Sequence, residues 1–184
     1  MNKKMWTPVM GWMGAVAAAI ALAWSVPNES ALLGRVPTVT AKRLDQRQIQ
    51  LPQELPAGRT LALVVFKGTQ RAEAQSWIDG LDLSHNGAIA WLKMPVLNDP
   101  GDEGLRMAIE KRLASSHASS GERSRLVPIF TDREAFIRAA GLSGAEHASV
   151  LVLDRQGNVL ARAEGAFDER KAQALRETVL AQND

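Results

Sequence analysis

Apolar residues along this chain fall into short unbroken runs, separated by stretches in which they recur every three or four positions. LALVVF (61–66) is one such run, the pattern of a strand covered on both faces. After a short turn, Ala74, Trp77, Ile78 and Leu81 stand at i, i+3, i+4 and i+7, which predicts an amphipathic helix with Trp77 facing the core. Gly87 precedes AIAWLKM (88–94), a second buried strand that Pro95 is expected to end. In VLNDPGDEGLRMAIEKRL (96–113), Asp99 is the expected N-cap, with Pro100 at the first helical position, where its missing N–H costs nothing. Leu105, Ala108, Ile109 and Leu113 then share one face. SSHASSGERS (115–124) reads as a loop by composition.

LVPIF (126–130) predicts a third strand. TDREAFIRAAGL (131–142) predicts a helix opened by a Thr131–Glu134 capping box and stopped at Gly141. In SVLVLDRQGNVLARAEG (149–165) two strands flank a turn whose Gly157 and Asn158 tolerate positive φ, a hairpin signal. A final helix begins near Asp168 and aligns Ala172, Leu175 and Val179. LDQRQIQLP (44–52) alternates as a short strand or hairpin would. Helices between the early strands imply parallel crossovers, and the hairpin with its closing helix adds an antiparallel edge.

The N-terminus has a different pattern. MNKK (1–4) is positive, no charge occurs from Met5 to Asn28, and GAVAAAIALAW (14–24) is strongly apolar. This is the n-region and h-region of an export signal, with small residues at Ala21 and Ala23 for cleavage. The stretch Met5–Ser25 is also just long enough to serve as an uncleaved membrane anchor. The expected organisation is a signal peptide or N-terminal anchor over 1–28, a linker over 29–40 and one domain over 41–184. The domain would lie in the periplasm or an equivalent exported space.

Composition narrows the chemistry. The 184 residues contain no cysteine, which removes disulfides, thiolate nucleophiles and thiolate metal sites together. The net charge of +2 disappears if Lys3 and Lys4 leave with a cleaved leader. No basic run is interleaved with aromatics, so a nucleic-acid partner is not expected. His85, His117 and His147 lack ligand spacing, and no phosphate-binding glycine fingerprint occurs, so no metal or cofactor is expected.

The order of elements, with LDQRQIQLPQELPAGRTLALVVF (44–66), LVPIFTDREAFIRAAGL (126–142) and SVLVLDRQGNVLARAEGAF (149–167), resembles the thioredoxin-like superfamily in its peroxiredoxin-related form. The resemblance implies an α/β three-layer sandwich with a mixed central sheet. It also implies a reactive cysteine near Thr69–Gln70 and a cis-proline where this chain has His147-Ala148-Ser149; both are absent. Thiol peroxidase and disulfide oxidoreductase activity are therefore not inherited. Within the superfamily, LKMPVLNDPGDEGLR (92–106) and LDRQGNV (153–159) are similar to the assembly-factor family of F-type ATP synthase and to related bacterial envelope proteins. That similarity implies a protein partner, such as a membrane complex, met through surface contacts without catalysis.

The turn after the first core strand is the candidate site. A helix N-terminus carries free N–H groups and about half a positive charge. Lys67, Gly68, Thr69, Gln70 and Arg71 there, joined by His147, could cradle an anion or a partner carboxylate. The alternative is that Thr69 simply caps the helix while Lys67 and Arg71 are solvated.

Overall fold

The computed structural model describes residues 33–181 apart from 86 and 118. The expected leader lies outside these residues. No helix among the described residues is long and apolar enough to cross a membrane.

The central element is β3 (Arg59–Val65), whose residues from Thr60 onward are all buried. It pairs in parallel with β4 (Trp91–Asn98), which pairs in parallel with β5 (Ile129–Thr131). On its other side β3 meets β6 (Ser149–Asp154) antiparallel, and β6 turns back into β7 (Val159–Glu164). The five strands lie in the order β5-β4-β3-β6-β7.

Alternation along β3 divides the core into two layers. Leu61 and Leu63 pack with Trp77, Ile78, Leu175 and Val179, on helices α1 (Arg71–Gly80) and α5 (Glu169–Leu180). Ala62 and Val64 face the opposite layer, with Leu92, Met94, Val96 and Phe136. That layer is closed by helix α4 (Arg133–Ala139) and by a separate hairpin of β1 (Val39–Lys42) and β2 (Gln48–Leu51). The expected three-layer sandwich with its mixed sheet is therefore present. Trp77 is fully buried, donates its indole N–H to the Gly165 carbonyl at 2.8 Å and meets Phe167 edge-on at 5.2 Å.

Several local expectations are corrected. Pro95 does not end β4. It shares the parity of Lys93, whose carbonyl accepts from Val127, so its missing N–H falls on that side and spares the β3 ladder. Helix α2 (Glu103–Ser115) is capped by Asp102, which accepts from the Leu105 N–H. Asp99 instead accepts from Gly101 and pairs with Arg106. In α4 the cap is Asp132, not Thr131. The serine-rich stretch contains a short helix, α3 (Ser120–Arg125), held by a Ser119–Glu122 capping box. In the β6–β7 turn Gly157 has positive φ and Asn158 does not.

Residues 33–38, read as part of a linker, are bonded into the domain. Leu33, Arg35 and Val36 donate backbone N–H groups to Val159, Ala139 and Gly157, and Val36 is buried. Gly141 makes this possible. Its φ of 69° closes α4 with the expected left-handed stop, while Leu142 donates to Ile137 and Gly141 to Arg138. A Cβ at this position would overlap the Leu33 carbonyl.

Gly165 also has positive φ, 86°, but its Cβ would meet nothing within 4 Å. The two glycines separate backbone strain from steric exclusion. Gly165→Ala is expected to cost about 1 kcal/mol from strain alone. Gly141→Ala is expected to cost about 3 kcal/mol because residue 33 must also move. Urea denaturation of the two variants checks the difference.

Candidate functional site

At the C-terminal end of β3 the chain passes through a single 3₁₀ turn, Gly68–Gln70, before entering α1. Lys67, Gly68, Thr69 and Arg71 are exposed, whereas Gln70 is only 3% exposed. Its amide is fully engaged. Oε1 accepts from the Phe66 N–H at 2.7 Å and the Lys67 N–H at 3.2 Å, and Nε2 donates to the Ala145 carbonyl at 2.8 Å. Gln70 is thus a bracket that pins the end of β3 to the loop before β6, and it is not available to a ligand. Thr69 makes no side-chain cap to α1.

The same loop supplies acids to this corner. Lys67 Nζ lies 3.0 Å from both carboxylate oxygens of Glu146. Because Glu146 is 81% exposed, this pair tunes local charge more than stability. His147 does come to the turn, and its Nδ1 lies 2.9 Å from Glu73 Oε1 on the first turn of α1. The other oxygen of Glu73 accepts from the Ala148 N–H at 2.7 Å. The His147 hydrogen bond, helped by that N–H, holds the Glu73 carboxyl below its ordinary value of 4.5 against the opposing effect of burial. Of the six residues singled out in the sequence, Lys67 and His147 are therefore met by the protein's own carboxylates and Gln70 is turned inward. Gly68, Thr69 and Arg71 remain open.

Two concavities lie beside this corner. Helices α1 and α5 cover β3 and β6, but α2, which follows β4, buries none of its side chains. Of the expected apolar stripe, Leu105 is 56% exposed and Ala108 exposed, while Ile109 and Leu113 are half-buried, so the stripe does not seal the sheet. The face of β4 that carries Trp91, Lys93, Pro95 and Leu97 is left half roofed. Two cavities open on it, of about 330 and 340 Å³, which share Arg71, Lys93, His117 and Leu126.

The walls of these cavities are largely apolar, and the charged side chains among them are mostly basic. Lys67, Arg71, Lys93 and Arg112 line the second, Arg125 the first, and among the described residues Glu122 is the one carboxylate in either lining. Arg125 stacks over the Trp91 ring at 4.9 Å. His117 Nδ1 is 2.8 Å from the Leu113 carbonyl, so Nδ1 is the donor there and Nε2 is left for other contacts. Lys93, Arg112 and Arg125 were not singled out in the sequence, and His117 was considered there only as a metal ligand. Only Lys93 carried a signal, as the lone charge within the apolar run AIAWLKM. Among the described residues no cluster of three or more potential ligands is placed to hold a metal.

No protein-family model matches the chain, and no curated protein matches it in sequence. Solved structures match it by fold. A protein of Aquifex aeolicus VF5 described as a candidate electron transport protein aligns over 84% of this chain and 100% of its own, with a TM-score of 0.57 and 14% identity. BsSco, a member of the Sco family of cytochrome c oxidase assembly proteins with a disulfide switch, aligns over 80% of this chain and 95% of its own, at TM-score 0.51 and 15% identity. The pneumococcal exposed lipoprotein thioredoxin of Streptococcus pneumoniae strain TIGR4 aligns over 77% and 99%, at TM-score 0.50 and 11% identity. The chain has a thioredoxin-like fold, in a version that contains no cysteine.

Two substitutions test the corner. Gln70→Ala removes the partners of two N–H groups and one carbonyl, and should cost about 2–3 kcal/mol. Glu73 has a folded pKa below its unfolded one, so its contribution is complete above about 4.5 and is lost as pH falls through the folded value. Glu73→Gln should cost about 1–2 kcal/mol at pH 7. The gap from wild type should close as urea denaturation is repeated from pH 5 toward pH 3.

Proposed function

We propose that the protein is a non-redox thioredoxin-fold protein of the cell envelope that works through protein contacts in the assembly or stability of a membrane-associated complex. The observation that carries this reading is the corner after β3. Where the fold's chemistry would require a thiolate at a helix N-terminus, this chain has a glutamine bonded on three sides. Two carboxylates latch the neighbouring loop across it. A hydroxyl nucleophile would need a positioned base, and the nearby His147 is engaged with Glu73. Such a corner favours a fixed shape over turnover.

Other features lean the same way. The positive start and apolar run of residues 1–24 fit export or anchoring. The resemblance of segments 92–106 and 153–159 to the F-type ATP synthase assembly-factor family finds no support in the comparisons; a structural neighbour from a family of cytochrome c oxidase assembly proteins fits a role beside a membrane complex. The alternative, a module binding a small anion at the helix N-terminus after residue 68, is weakened at that point because Glu146 already meets Lys67.

The reading is tested by affinity recovery of the full chain from membranes solubilised in several mild detergents. Subunits of one membrane complex should co-purify in near-fixed proportion with it. Recovery of nothing above background in every detergent would overturn the reading.

A further inference from the structure

Lys93 sits in the middle of a core strand, and its ammonium makes no hydrogen bond or ion pair among the described residues; the side chains of Arg71 and Arg112 likewise make none. Burial pushes the Lys93 ammonium below its ordinary value of 10.5 and the nearby Arg71 charge adds to the effect, with only Glu122 opposing. Placing a half-buried cation beside another cation works against folding. A strand position between Leu92 and Met94 would be filled at lower cost by an apolar residue of similar length. The unfavourable choice is concentrated where the two cavities meet, since Arg71 and Lys93 line both.

The surroundings of this charged pair are apolar. Val65, Pro95, Leu97 and Leu113 line the second cavity, and each cavity has the volume of a small-molecule site at the lower end of the usual range. We propose that the two cavities form one binding groove for a small amphipathic organic anion. Its carboxylate sits between Arg71 and Lys93, and its apolar body lies against Pro95, Leu97 and Leu113. The excess of positive side chains excludes a cation, and the apolar wall distinguishes this ligand from inorganic anions. The groove adjoins the corner after β3, with which it shares Lys67, Gly68 and Arg71, and it does not depend on the protein-contact reading above.

Octanoate is a suitable probe, with octanol as the neutral analogue and inorganic phosphate as the headgroup without a tail. In titration calorimetry on the full chain, octanoate should bind at least tenfold more tightly than either. Lys93→Met keeps the length of the side chain and removes the charge. It should weaken octanoate at least tenfold while leaving the melting temperature unchanged or higher, a pairing that a purely structural lysine would not give. Arg71→Gln, at an exposed position, should also weaken octanoate at least fivefold without loss of fold. The proposal is overturned if octanol or phosphate binds as well as octanoate, if octanoate does not bind, or if the Lys93 variant keeps wild-type affinity. Recovery of the membrane partner by the Lys93 variant separates this site from the contact surface.

Discussion

The fold depends on keeping both faces of β3 dry. Leu61 and Leu63 on one side and Ala62 and Val64 on the other are essentially inaccessible to solvent, and burial of this kind is the main favourable contribution to folding. One face is covered by α1 and α5, the other by α4 and the separate hairpin. Two helices are enough for β3 and β6 but do not extend over β4, whose own following helix stands away from the sheet. The basic groove is therefore a by-product of how the layers are shared out, in the same way that many ligand sites lie where a scaffold leaves a gap between elements.

At the end of β3 the chain solves a second problem. A strand that runs directly into a helix leaves backbone N–H groups with no ladder partner, and a buried unpaired donor is costly. Gln70 satisfies two of them and reaches across to the loop before β6, so one amide does what would otherwise take a separate cap and a loop contact. Glu73 repeats the arrangement a turn later with His147 and Ala148. These contacts consume the side chains that an anion-binding turn would need. Positive character is displaced sideways, onto Arg71, Lys93 and Arg112.

How much of this could be read in the sequence follows from the range of each interaction. Elements with strong local signals, such as β3, the β6–β7 hairpin and the Trp77 face of α1, were legible because burial on two faces and turn chemistry leave short-range patterns. Boundaries set by competition among nearby groups were not: Asp99, Asp102, Thr131 and Asp132 are all competent caps, and the choice among them depends on where the preceding strand releases the chain. The helical periodicity of α2 predicted a buried stripe, but periodicity cannot say whether a partner surface is near enough to receive it. The site was partly legible. Proximity of His147 to the turn followed from the fold, whereas the inward rotation of Gln70 and the convergence of Lys93 with Arg71 depend on contacts between segments distant in sequence.

The stitching of residues 33–36 fixes a direction as well as a position. Those residues are bonded to the turn at Gly157 and to the end of α4, and β3 begins at that same end of the sheet, with Arg59 opposite Asp154. The latched corner lies at the other end, seven residues along β3 and roughly 20 Å away at strand rise. Anything that grips the polypeptide upstream of residue 33 must pull on the base of the sheet.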